Sequence, residues 1–227
     1  MRGRRAEQAP GDLMRARHRL SKLLLRQGIV YCGGQAWTEA HDVWLRRQRF
    51  DSPALRMTYE SDYDAVLAVK TRRDRLDEAI AVMAGNSEFT PLVRRLGCLR
   101  GVSNLRALAL TVEIGDWNRF TGNTIGAFVA LVPSEYSSGQ SRVQGSITKT
   151  GNTHVRRLLV EAAWHHRARY VVGKTMHQRW ELASPAARAR GDAVNRRLHA
   201  RWNTVRERRK RHVVANVATA RELASWC

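Results

Sequence analysis

A serine beside a glycine, Ser138–Gly139, follows an apolar stretch that runs out at Pro133 into a polar loop. A hydroxyl on such a loop can be approached closely by a phosphate, but it is a poor nucleophile until a base or a metal-organised site activates it. Composition alone reads this serine as a turn residue. Further on, the run from Gly145 to Asn152 holds two glycines, two threonines, a serine and Lys149, just ahead of a helix bearing Val155, Leu158, Leu159, Ala162 and Ala163. Backbone donors, the helix dipole and one ammonium would converge there on an anion. Lys149, Thr150 and Asn152 are therefore candidate phosphate contacts, and Arg156 and Arg157 follow on the first turn of the helix. The Gly-x4-Gly-Lys-Ser/Thr order of a nucleotide-hydrolysing loop is absent, which argues against nucleotide hydrolysis.

A third candidate lies upstream. Leu99 to Ser103 leads into Leu105, Leu108, Ala109 and Val112 and stops at Gly115. Helix, glycine turn, helix is the form of a helix-hairpin-helix, where backbone N–H groups at the start of the second helix hold a phosphate without reading sequence. Gly101 supplies the turn, and Ser103 stands where a second glycine is usual and can cap the helix. His165 and His166 lack the partners of a zinc site, since no Cys pair and no HExxH arrangement occurs, and both read as helix-surface histidines.

The totals agree with a polyanionic partner. Forty Lys and Arg against twenty Asp and Glu give a net charge of +20, an excess that favours nucleic acid. The excess is uneven: Ser141 to His212 carries 18 basic and 4 acidic residues, whereas Gly101 to Gln140 carries 2 and 3. No apolar run approaches the ~20 residues needed to span a bilayer, so no membrane partner is expected. Three widely spaced cysteines, Cys32, Cys98 and Cys227, fit neither a disulfide framework nor zinc and suit a reducing, cytoplasmic compartment.

The elements that must position these groups read as mainly α. Leu13, Leu20, Leu23 and Leu24 give a helix from about Asp12 to Gln27. Thr38 caps a short helix through Phe50 whose apolar face uses Val43 and Trp44. Pro53 opens a longer helix in which Leu55, Tyr59, Asp62, Val66, Val69, Arg73, Leu76, Ile80 and Met83 alternate steps of four and three, a heptad seam. That seam predicts a coiled-coil arm, with self-association into a homo-oligomer through residues 55–83; an ordinary helix packed on its own domain is the alternative. Gly85 to Ser87 ends it, and Thr90–Pro91 starts the next helix. The expected domains are residues 1–88, a helical segment with the arm; 89–182, the domain with the candidate serine and a short irregular or β-hairpin loop; and 183–227, a basic helical segment with helices over 195–211 and 212–226.

The runs Asp12 to Lys22, Glu113 to Asp116, Gly145 to Asn152, Arg156 to Trp164 and Ala220 to Ala224 resemble transposases of the insertion-sequence one-ten family, also called the one-sixteen type. The likeness extends from Leu13 to Leu223 and is densest from Gly101 to Tyr170. It implies that Ser138 is the serine that becomes joined to a DNA phosphate, that DNA is the partner, and that a structured guide RNA directs target choice. It also implies an RNase-H-like nuclease domain with four acidic ligands, and hence Mg2+, in the full-length family. Only Glu7 and Asp12 precede the first matching helix, so no cofactor is expected within this chain, which reads as a transposase lacking its metal-binding half and inactive alone. A non-catalytic helical DNA- or RNA-binding protein is the alternative.

Overall fold

The structure is a computed structural model that describes the chain except Met1, Gly139 and Arg142, and follows residues 2–10 as backbone only. It is mainly α, with one two-stranded sheet among the described residues. Contacts divide the chain into two compact units, Met1–Ala79 and Ile80–Cys227.

The first unit is built from α1 (Arg2–Arg26), α2 (Glu39–Arg46) and most of α3 (Pro53–Gly85). Leu13, Ala16, Leu20 and Leu24 lie on one stripe of α1 and share a buried cluster with Leu45, Tyr59 and Val66, the i, i+3/i+4 spacing of a helix that covers a core. Tyr59 and Val66 are seam positions of α3, and they spend their apolar surface inside the unit. Burial forces each phenol to find a partner: Tyr59 donates to the Leu45 carbonyl at 2.8 Å and Tyr63 to the Asp42 carboxylate at 2.8 Å.

Thr38 caps α2 as its sequence predicts, accepting from the His41 amide. The inward face of α2 differs from expectation. His41 and Leu45 are buried, whereas Val43 is 43% exposed. The cap fixes the rotation of the first turn, and residues four apart then share the face turned to the core. The helix also ends at Arg46 rather than Phe50; Arg47 and Gln48 donate back to Trp44 and Leu45, and the Phe50 ring packs instead on Tyr59 at 4.8 Å.

The second unit contains α4 (Thr90–Leu96), α5 (Asn104–Ile114), α6 (Thr124–Phe128), β1 (Pro133–Glu135), β2 (Gln144–Ile147), α7 (Thr153–Ala163), α8 (Lys174–Glu181), α9 (Pro185–Glu207) and α10 (His212–Trp226). α5 buries Ala107 through Thr111 and Ile114, nearly every side of the helix, and is the central element. α7 packs beside it in the opposite direction. Arg106 at the start of α5 pairs with Glu161 near the end of α7 at 3.4 Å, and Glu113 near the end of α5 accepts from Asn152, which begins α7, at 3.2 Å. α10 brings small buried residues, Ala215, Thr219, Ala220 and Ala224, against its neighbours, and Glu222 on α10 pairs with Arg197 and Arg201 on α9.

His165 is exposed, but His166 is fully buried, contrary to the helix-surface reading. After Ala163 the helix tightens into a 3-10 turn over Trp164–Arg167, and the change of pitch swings His166 inward. Burial, reinforced by the nearby charge of Arg100, pushes its pKa down to about 4. Between that value and the ordinary histidine value the unfolded chain binds a proton that the folded chain refuses. Folding is therefore weakened as pH falls, by at most about 3 kcal/mol. Urea unfolding at pH 7 and pH 4.5 checks this: the midpoint should drop on acidification, and less so in His166→Leu.

Candidate nucleic-acid interface

The turn joining α4 to α5 is the most constrained loop of the second unit. Gly101 has φ +82°, and a Cβ there would sit 2.3 Å from the Ala162 carbonyl oxygen and 2.9 Å from the His165 ring. Only glycine combines that backbone with that approach. Ser103 caps α5, accepting from the Arg106 amide at 3.3 Å, and Ser103 and Asn104 are exposed at the helix start. The polar backbone of the turn is satisfied from several elements, as buried peptide groups must be. The fully buried Asn195 of α9 accepts from the Arg100 amide at 2.8 Å and donates to the Cys98 carbonyl at 3.0 Å. Trp180 also donates to Cys98, at 3.2 Å, and Arg179 donates to the Val102 carbonyl. Arg100 reaches outward to the carbonyls of Ala168 and Arg169, at 2.8 and 3.0 Å. Burial and the charges of Arg106, Arg100 and Arg179 lower the pKa of His165 beside this turn.

At the other end of α7, the segment from Thr148 to Asn152 is stapled to the chain between the end of α6 and the start of β1. The Asn152 amide donates to the Phe128 carbonyl at 3.1 Å and the Thr148 amide to Val132 at 3.0 Å. A Cβ on Gly151 would lie 2.0 Å from that Phe128 oxygen. Lys149 takes the left-handed conformation, φ +61°, and it and Thr150 are exposed. Asn152 is the cap of α7: its side-chain oxygen accepts from the His154 and Val155 amides, both at 3.0 Å, while its nitrogen donates to Glu113. Half-buried Arg156 donates to the Val129 carbonyl at 3.3 Å, and exposed Arg157 pairs with Glu161 at 3.5 Å. Lys149, Thr150 and the outer parts of these arginines are what this end offers to an anion.

Between α6 and α7 the chain makes an antiparallel hairpin. Pro133 faces Ile147 and Glu135 faces Gln144, with a bulge between them. At the bulge Gly145 lies against Ser134, and a Cβ there would meet the Ser134 hydroxyl at 2.5 Å; that hydroxyl donates to the Ser146 carbonyl at 3.0 Å. Beyond the strands, Ser138 and Ser141 exchange both backbone hydrogen bonds, at 3.2 and 3.1 Å. Ser138 is exposed there, near the tip. The neighbouring Ser137 donates to Glu135 at 2.8 Å.

The sequence-selected residues thus fall into three places. Ser138 lies at the hairpin tip; Lys149, Thr150, Asn152, Arg156 and Arg157 lie at the start of α7; Gly101 and Ser103 lie against its end. Each step is about 15 Å, from the rise of a strand and of a helix of these lengths. A DNA strand is long enough to bridge such spacings, whereas a small molecule is not. Asn195 and Arg179 escaped sequence reading, although one of them left a signal: Asn195 stands at an apolar-face position beside Val194, Leu198 and Trp202. Among the described residues no group of three or more His, Cys, Asp or Glu gathers to hold a metal ion, and no helix is long and apolar enough to cross a membrane.

Comparison with known proteins gives these features a family. Residues 93–181 match the model of the Transposase IS116/IS110/IS902 family. A transposase-family protein, y4qE, of Sinorhizobium fredii is 32% identical over 96% of this chain and 56% of its own length. The transposase for insertion sequence element IS1533 of Leptospira borgpetersenii is 28% identical over 88% of this chain and 59% of its length. The transposase for insertion sequence element IS1111A of Coxiella burnetii is 34% identical over 40% of this chain. The chain belongs to the IS116/IS110/IS902 transposase family. It spans little more than half the length of the first two relatives.

The constrained turn makes its own prediction. Asn195→Ala leaves the Arg100 amide buried without a partner and the Cys98 carbonyl with Trp180 alone, and should cost about 2 kcal/mol. Gly101→Ala should cost at least about 2 kcal/mol, from a forced φ and a backbone clash. Denaturant midpoints with unchanged slopes would measure both.

Proposed function

We propose that this chain handles DNA in insertion-element transposition, holding a strand by its phosphates along α7 and presenting the Ser138 hydroxyl to one of them. The observation that carries the proposal is the exposure of Ser138 near the tip of a hairpin whose base is clamped beside Lys149 and the start of α7. A projecting hydroxyl on a fixed base reaches a groove-bound backbone without deforming the helical body. Sequence-independent contacts at the Gly101–Ser103 turn would hold a second phosphate of the same strand.

The chemistry follows from the hydroxyl. Its oxygen attacks phosphorus, a Ser138 Oγ–P bond forms, and the bond from phosphorus to the 3′ oxygen breaks. The serine proton passes to solvent and the leaving 3′ oxygen takes one up, which gives a phosphoserine link and a free 3′ hydroxyl. The link keeps the energy of the phosphoester, so the strands can be rejoined by the reverse step without nucleotide hydrolysis. The described residues do not fit a magnesium site, since they gather no carboxylate cluster. Binding and presentation are what this chain's own side chains supply.

Two measurements test this. Affinity for duplex DNA should fall steeply with salt, and Lys149→Ala should reduce the slope of log K against log salt by about 1. DNA from the element ends carrying a 3′-bridging phosphorothiolate has a leaving group that needs no acid or metal. It should trap a covalent protein–DNA adduct that Ser138→Ala abolishes while binding is kept. An adduct that persists in Ser138→Ala, or binding indifferent to salt, would overturn the proposal.

A further inference from the structure

The first unit holds a cavity that transposition chemistry does not use. Its volume is ≈ 400 Å³, within the range of small-ligand sites, and its walls come from α1, the loop before α2, α2 and α3. Arg17 and Lys70 supply cationic groups, Trp37, His41 and Tyr63 aromatic ones, and Leu45, Val66 and Leu67 an apolar floor.

Three features of the walls bear on what could occupy the space. Arg17 is half-buried, its Nε is shielded from solvent without a hydrogen-bond partner, and it forms no ion pair with any described residue. Its guanidinium lies 4.9 Å from the centre of the Trp37 ring, and the charged group nearest in effect is another cation, Arg73. The shielded Nε donor without an acceptor is a local deficit that an anion would remove. Second, Trp37 is held in the left-handed region, φ +67°, uncommon for so bulky a residue. Its amide donates to His41 Nδ1 at 3.1 Å, which fixes the indole at the cavity wall. Third, burial lowers the pKa of His41, with Asp42 opposing the drop and Arg17 adding to it, and its ring stacks on Trp44 at 5.5 Å.

Two carboxylates also line the cavity. Asp42 is engaged by Tyr63 and by Arg46, which pairs with it at 2.8 Å. Glu39, exposed in the first turn of α2, is left as an acceptor at the mouth. Cation, aromatic wall, apolar floor and a carboxylate at the rim together suit one chemical unit: a phosphate joined to a flat heteroaromatic base with exocyclic N–H groups.

We infer that this cavity receives a single nucleotide, with its phosphate against Arg17 and Lys70 and its base among Trp37, His41 and Tyr63. A free mononucleotide and an unpaired nucleotide of a strand offer the same chemistry. The inference does not rest on the role given to Ser138, because it concerns another unit and another form of ligand.

Photo-cross-linking to the full chain tests it, with 5-iodocytidine monophosphate in one arm and a single-stranded decamer carrying one 5-iodocytosine in the other. Mass spectrometry should find the adduct on Trp37, His41 or Tyr63 in at least one arm, and the arm identifies the source. Lys70→Ala, at an exposed position, and Arg17→Met should each lower that adduct about tenfold, while Lys149→Ala leaves it unchanged. The melting temperature of Arg17→Met should equal or exceed that of the parent, since an unpaired shielded cation is replaced by an apolar chain of similar length. No adduct in the cavity in either arm would overturn the inference. So would an adduct indifferent to Lys70→Ala and Arg17→Met.

Discussion

The second unit depends on how five residues, Cys98 to Val102, keep their peptide groups satisfied while buried among helices. A turn between helices leaves orphan carbonyls and amides, and here they face protein rather than water. Asn195, Trp180 and Arg179 answer them from α8 and α9, and Gly101 lets α7 approach to contact. Because those partners come from helices far along the chain, the peptide groups of the turn are satisfied only with α8 and α9 docked. The direction in which α5 leaves the turn then aligns it against α7, and the ties at both ends of that pair fix the start of α7 beneath the hairpin. Local geometry near Lys149 is thus set by contacts made at the opposite end of the unit.

Much of this was legible in the sequence where the signal is local. Thr38 and Ser103 cap the helices their positions predict, Pro53 and Thr90–Pro91 open helices, and the last helix spans His212–Trp226 as expected. The serine loop resolves into a hairpin because Gly145 permits a bulge and Pro133 sits at the end of a strand, where its missing donor does no harm. What was not legible depends on neighbours distant in sequence. His166 turns inward because α7 tightens into a 3-10 turn, a change that no periodicity announces. Val43 faces out because the cap, not hydrophobicity, sets the rotation of α2. The spread of candidate residues over three places could not be read either, since adjacency along the chain says nothing about which end of α7 a residue meets.

The positive charge also divides differently in space than in sequence. Arg100, Arg106, Arg119, Arg156 and Arg179 each donate to a main-chain carbonyl that a loop or helix end leaves open. Guanidinium is suited to this, with several donors in a fixed plane and a weakly hydrated charge. Part of the basic excess therefore closes the fold, and only the remainder faces solvent in the way a polyanion requires. A count of arginines overstates the contacts a strand can make, and Arg156, half-committed to Val129, shows where the two uses meet.

The squeeze of Gly151 against the Phe128 oxygen has a mechanical consequence. With Asn152 bonded back to Phe128 at the end of α6 and Thr148 to Val132 beside the foot of β1, the returning limb of the hairpin has its fulcrum at Gly151. Bending of the strands would carry the tip through an arc, while torque at the fulcrum is passed to α6 and, through its packing, to α10. Load on the tip would be felt in α6 and α10 before it loosened anything at the base.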